Sequence, residues 1–114
     1  MRIHELTEDF AGDIEAEFGV ILNLYGNAEQ GYTLSRIEVP KPLRGSGIGS
    51  KIMQRIVDMA DAQGAIIALT PDTAFGGSKG RLIQFYKQFG FVPNRGRNKD
   101  FSFRETMIRT PEKA

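Results

Sequence analysis

Residues 37–53 read IEVPKPLRGSGIGSKIM, and the glycines at 45, 47 and 49 with Arg44 are the part of the chain that could do chemistry. Three glycines leave the backbone amides of 44–49 without side-chain cover. Ile48, Ile52, Ile56 and Met59 follow at helical spacing, so those amides fall at a helix N-terminus, where unsatisfied donors and the helix dipole favour an anion. Arg44 adds a cation beside them. The chemistry is that of a phosphate or pyrophosphate cradle. A nucleoside-triphosphate loop would need Gly-Lys-Ser/Thr, but here Ser50 precedes Lys51 and Ile52 follows it. A dinucleotide fingerprint would need a third glycine where Ser50 stands, and an acidic residue closing a second strand at the expected distance. Neither is present. A plain strand-to-helix turn is the other reading of such a loop.

The elements that must hold the loop can be read on either side of it. Residues 1–13 carry Ile3, Leu6 and Phe10 among charges, which fits a short strand leading into a helical turn. Residues 17–25, EFGVILNLY, predict a strand, 26–31 a turn and 32–39 the returning strand of an antiparallel hairpin. In the returning strand Leu34 and Ile37 are three apart while Ile37 and Val39 are two apart, and a bulge would explain the shift of phase. Pro40 and Pro42 end that strand. Residues 48–63 predict a helix whose stripe is widened by Met53, Val57 and Ala60 and whose stop is Gly64. The apolar run 65–70, AIIALT, predicts a central strand ended by Pro71, parallel or nearly so to the strand before the loop through a right-handed crossover. After a glycine-rich loop at 72–80, a second helix carries Leu82, Phe85, Tyr86 and Phe89 on one face and stops at Gly90. A short strand at 91–92, a basic loop at 93–100 and a final strand at 101–108, with Phe101, Phe103, Glu105 and Met107 on one side, complete the chain before a frayed tail at 110–114. The fold class is α/β with a mixed sheet, and 114 residues fit a single domain, 1–114.

Composition excludes several chemistries. With no cysteine there are no disulfides, thiolate nucleophiles or cysteine-ligated metals, and the one histidine, His4, reads as a solvated surface residue, so no metal site is expected. No apolar run is long enough to span a membrane, and the start, MRIHELTED, lacks the apolar core of a signal peptide, which leads to the expectation of a soluble cytoplasmic protein. The net charge of +1 is unevenly spread. Residues 1–40 hold two basic and eight acidic side chains, a balance of −6, while 41–114 hold thirteen and six, a balance of +7. The basic part contains the anion loop and the acidic part could attract a cationic amine, unless these are simply solvated faces. Nucleic acid is not expected, because the basic residues are scattered and the aromatics fall at core spacing.

Two motifs carry a family resemblance. The Arg-x-x-Gly-x-Gly of 44–49, after a strand reading Ile-x-Val, resembles the coenzyme A loop of the GNAT superfamily of N-acetyltransferases. Tyr86-Lys87-Gln88-Phe89-Gly90-Phe91 is similar to the Tyr-x-x-x-Gly-Phe segment that closes the same family's cofactor site. The match covers about residues 32–92. It implies that the strands flanking the long helix splay apart and that acetyl-coenzyme A enters the gap, giving an enzyme that moves an acetyl group to a primary amine of a small molecule, peptide or protein.

The resemblance also implies residue roles. Amides of Arg44, Gly45, Ser46, Gly47, Ile48, Gly49 and Ser50 would bind the pyrophosphate, with the Arg44 side chain as a cationic partner. Backbone groups of Ile37 and Val39 would pair with the pantetheine, and the Ile37 N–H would polarise the thioester carbonyl. Tyr86 would protonate the departing thiolate as general acid. The family often has a cofactor-binding Asn in the loop entering the second helix, where this chain has Ser78 and Lys79; either would replace it at the cofactor, or the contact is missing. Glu38, opposite in phase to Ile37 and Val39, Asp72 after the central strand and Glu105 in the final strand are the candidate general bases, with a water chain as the other route. The region before the hairpin is short for the pair of helices that usually shapes the acceptor pocket. This implies a shallow acceptor side, completed by a protein substrate or a second chain, with a homodimer through an exposed strand edge as one option. A non-catalytic coenzyme A-binding or protein-interaction module on the same fold is the alternative.

Overall fold

A computed structural model describes residues 3–43, 45–71, 78–96 and 99–111. Its elements run α1 (Ile3–Phe18), β1 (Ile21–Asn27), β2 (Gly31–Glu38), a 3₁₀ turn (Lys41–Leu43), α2 (Ile48–Gln63), β3 (Ile67–Leu69), α3 (Lys79–Lys87), β4 (Val92–Pro93) and β5 (Met107–Arg109). The strands form one sheet in the order β1-β2-β3-β5-β4. Only the β2–β3 pair is parallel, and α2 is the crossover that joins it. The expected mixed sheet, hairpin and crossover are therefore present.

One face of the sheet carries the core. Leu22, Leu24, Tyr32, Leu34, Ile67, Leu69 and Met107 share that face and pack with Ile14 of α1, with Ile52, Met53, Ile56, Val57 and Ala60 of α2, and with Tyr86 of α3. The opposite phase is thinner. Thr33 pairs with Ala68 and Ala68 with Ile108, while Tyr25 and Val92 stand exposed.

α2 has the expected bounds, and Gly64 ends it in the left-handed region at φ 66°, which only glycine adopts without strain. Two expectations are corrected. Residues 3–13 are part of a helix, and 17–18 belong to it too, because Gly19, at φ 67°, ends α1 by donating to the Glu15 carbonyl before the strand begins at Ile21. The Glu15 carboxylate then accepts the Leu22 N–H at 3.1 Å, and this contact ties helix to strand. The final strand at 101–108 is reduced to Met107–Arg109. Buried Asn94 shares its side-chain amide among the carbonyls of Asp100, Phe103 and Glu105 at 3.1–3.2 Å, and its Oδ1 accepts the Asp100 N–H. Carbonyls that a strand would offer to a neighbour are held in a loop instead.

Two ion pairs fasten α2, and their burial differs. Arg109 is 4% exposed; its guanidinium meets Asp61 through both nitrogens at 2.7 and 3.0 Å, and its Nε donates to the Phe89 carbonyl. Arg55 reaches Glu17 of α1 at 2.6 Å with both side chains about half exposed. Removing one partner of a buried pair strands a desolvated charge, whereas an exposed pair contributes little. Asp61→Ala should therefore lower the urea-unfolding free energy by about 3 kcal/mol, and Glu17→Ala by under about 1 kcal/mol. Equal losses would contradict this assignment.

Candidate functional site

The site begins where β2 outruns β3. The parallel pairing covers Tyr32–Ile67, Thr33–Ala68 and Leu34–Leu69 and then stops, because β3 ends at Leu69 and Pro71 lies just beyond, while β2 continues to Glu38 alongside β1. The expected bulge sits at the point of divergence. Asn23 pairs with Arg36 and Leu24 with Leu34, so Ser35 is the extra residue. A cleft of about 30 Å³ opens there, lined by Leu34, Ser35, Arg36, Ile37, Leu69, Thr70 and Tyr86. It is a splay between two parallel strands, and Ile37 stands on its wall.

The glycine loop follows directly. Gly45 and Gly47 both have φ 82°, and the space on their outer side is open. Ser46 Oγ donates to the Leu43 carbonyl at 2.5 Å and fixes the turn. Gly47 is the N-cap of α2, with no side-chain cap and no acidic residue in the first turn, so the amides of Ile48, Gly49 and Ser50 open the helix without an internal anion. α3 differs here. Its N-cap Ser78 accepts the Arg81 N–H at 3.2 Å. Of the two helix starts, only that of α2 has the form of an anion site.

Aromatic packing brings Tyr86 to the splay. A Cβ at Gly49 would lie 3.7 Å from the Phe85 ring, so α3 rests against the first turn of α2. Phe85 meets Tyr86 edge-on at 5.4 Å and Phe89 at 5.3 Å, and Tyr86 meets Phe91 at 5.8 Å. Edge-to-face rings on both sides fix the tyrosine, which is buried at 6% exposure with its ring against the cleft. The Gly90 turn, at φ 92°, is what returns Phe91 to the cluster.

The structure thus brings together Ile37, Val39, 45–50 and Tyr86 at one end of the β2–β3 pair; Arg44 lies outside the described residues. Ser78 is engaged as a helix cap, and Lys79 opens α3 facing a different cavity. The two candidate bases among the described residues do not converge. Glu38 is held by Arg36 at 2.5 Å, and Glu105 lines a separate cavity of about 840 Å³ between the β1–β2 turn and the loop after β4. Asp72 lies outside the described residues. Sequence reasoning missed Ser35 and Thr70 in the cleft. The phase shift at 34–37 was the signal for the first, and the position just before Pro71 for the second.

Comparison with known proteins gives the class. The family model for the acetyltransferase (GNAT) domain matches residues 8–93, well over half of the chain, and the chain belongs to that family. No curated protein sequence matches it. Among solved structures it is similar to Naa50 of Arabidopsis thaliana in complex with the bisubstrate analogue CoA-Ac-MVNAL, at 24% identity and TM-score 0.53, covering 80% of this chain and 63% of that one. Naa20 of Chaetomium thermophilum in complex with a bisubstrate analogue follows at 18% and 0.52, covering 81% and 58%. Ard1 of Thermoplasma volcanium is similar at 20% and 0.50, covering 89% and 77%. The chain spans about three fifths of the length of the first two. Among the described residues, no helix is long and apolar enough to cross a membrane.

If the α2 start holds an anion, Gly47→Ala strains a left-handed position by about 1–2 kcal/mol and moves those amides. Calorimetry should show coenzyme A affinity falling by about tenfold, whereas Gly80→Ala in α3 should leave it unchanged and add roughly 0.5 kcal/mol of stability. Equal affinities in the two variants would remove the cradle.

Proposed function

We propose that the chain transfers the acetyl group of acetyl-coenzyme A to a primary amine by direct attack on the thioester. The observation that carries this reading is the convergence of an uncapped helix start, a strand splay and a buried tyrosine at one end of a parallel strand pair. Family membership and the bisubstrate analogues bound by Naa50 and Naa20 support the same reading. The site's chemistry fits the co-substrate. Amides of 45–50 offer donors to a pyrophosphate, with Arg44 as the adjoining cation, and the β2 edge beyond Leu34 can take an extended amide-bearing chain as an added strand.

Acetyl-coenzyme A supplies the activated acetyl group. The Ile37 N–H, at the wall of the splay, is placed to stabilise negative charge on the carbonyl oxygen. As the amine nitrogen forms its bond to the acetyl carbon, the carbon–sulfur bond breaks and the Tyr86 hydroxyl gives its proton to the sulfur. The amine's own proton leaves through water, and water returns a proton to Tyr86, so that amine and thioester become amide and thiol. Among the described residues neither Glu38 nor Glu105 lines the cleft, and its volume admits a water held by the hydroxyls of Ser35 and Thr70. A phenol of ordinary pKa near 10 is a weaker acid than a thiol near 8.5, so the transfer depends on the reacting sulfur lying against Tyr86 as its charge develops.

Tyr86→Phe keeps the ring packing and removes the acid. It should lower kcat by about a hundredfold with acetyl-coenzyme A affinity unchanged by calorimetry. An undiminished rate would remove Tyr86 from the mechanism. Tight coenzyme A binding with no release of free coenzyme A, over a broad panel of amines, would make the chain a binding module instead.

A further inference from the structure

A third cavity, of about 440 Å³, lies on the other side of the β3 end from the splay. α3 supplies one wall, with Lys79, Ile83 and Lys87 one turn apart along a single face. The loop after β4 supplies Asn94, Arg95 and Thr106, and Pro71, Pro93 and Met107 complete the lining. The floor is apolar, since Pro71 and Met107 are buried and Ile83 is half-buried. Lys79, Lys87 and Arg95 converge on it, and none of the described lining residues is acidic. Among the described residues none of these three cations has an ion-pair partner. Cations of one sign beside an apolar floor offer an anion an attractive field. The volume lies within the range of small-ligand sites, about 300–1,000 Å³.

One hydrogen bond joins this cavity to the splay. Thr106 on its wall donates its N–H to Oγ1 of Thr70 at 3.2 Å, and Thr70 lines the cleft beside Tyr86. The two cavities therefore lie side by side, with Thr70 and Thr106 between them. The rigid base is Asn94, whose four side-chain hydrogen bonds fix the loop that carries Arg95 and Thr106.

We propose that this cavity holds an anionic group, a carboxylate or a phosphate, borne on the apolar body of the same acceptor whose amine enters the splay. The inference rests on the acetyl-transfer reading. It narrows the acceptor to a small amine that carries a negative charge at its far end. Lys87 and Arg95 are the specificity-determining side chains, and they act on the acceptor and not on the cofactor.

The test is a series of ω-amino acids of three to eight carbons, each compared with its uncharged amide and its phosphonate. At the best length kcat/KM for the anion should exceed that of the amide by about tenfold. The carboxylate and phosphonate arms identify which anion is preferred. In Lys87→Glu/Arg95→Glu the anion's advantage should disappear while acetyl-coenzyme A affinity, by calorimetry, stays the same. No advantage at any length, or an advantage that survives the double substitution, would overturn the proposal. So would a parallel loss of acetyl-coenzyme A affinity, which would give the cavity to the cofactor's own phosphate. Binding is read separately through the methyl resonances of Ile83 and Met107 during titration with 6-aminohexanoate. Saturable shifts with the acid and none with its amide, in a chain that acetylates nothing, would keep the anion site and discard the transfer. Absent shifts would discard the site.

Discussion

Everything at the functional end follows from a three-residue limit on the β2–β3 pairing. Parallel strands joined by a helix normally bury their shared edge, and here that edge is shared only as far as Leu34 and Leu69. Two local features enforce the limit. Ser35 is an extra residue that turns β2 away, and Pro71 cannot donate the next ladder hydrogen bond from the β3 side. The chain thus obtains polar backbone and hydroxyl groups at a cleft without burying an unpaired strand in the core. Because α2 starts at that same end, the helix N-terminus and the cleft open beside one another.

The helices then divide the work by how they begin. α2 opens on Gly47 with no side-chain cap, and α3 opens on Ser78 with one. A capped helix is stable by itself; an uncapped one leaves its donors to be satisfied from outside. The stability of α2 comes from its five buried residues and from the Asp61–Arg109 pair near its far end. An element anchored so heavily at one end can tolerate bare donors at the other. α3 has the reverse task, because its Phe85–Tyr86–Phe91 ring cluster must place one hydroxyl-bearing side chain against the cleft, and a firm start supports that.

What the sequence made legible follows the range of the interactions involved. The bounds of α2 could be read because its apolar stripe recurs every turn and Gly64 follows it, both local facts. The bulge could be read because a period of two was broken between Leu34 and Ile37. α1 could not, since its charges mask the stripe and its end depends on Gly19 adopting a left-handed turn. The shortness of β5 could not either, because Asn94 captures carbonyls six to eleven residues away. Of the candidate site, the loop and Tyr86 were visible as motifs, while Ser35 and Thr70 become neighbours only through the strand register. Two of the candidate bases were out of reach for the same reason: phase along a strand does not reveal that Arg36 reaches Glu38, or that Glu105 faces another cavity.

Charge shows the same distinction. The balance of −6 over residues 1–40 suggested an acidic surface that would attract an amine. In the structure three of those eight carboxylates are engaged locally: Glu15 accepts the Leu22 amide, Glu17 pairs with Arg55 and Glu38 with Arg36. Carboxylates held this way fasten α1 and β2 and exert little field on an approaching ligand. On the basic side, Arg109 is likewise consumed by Asp61 and the Phe89 carbonyl. Among the described residues Lys79, Lys87 and Arg95 have no such ion pair, and they lie together on the cavity beside the cleft. Charges that do not hold the fold are the ones available to choose a ligand, and in this chain those beside the cleft are cations.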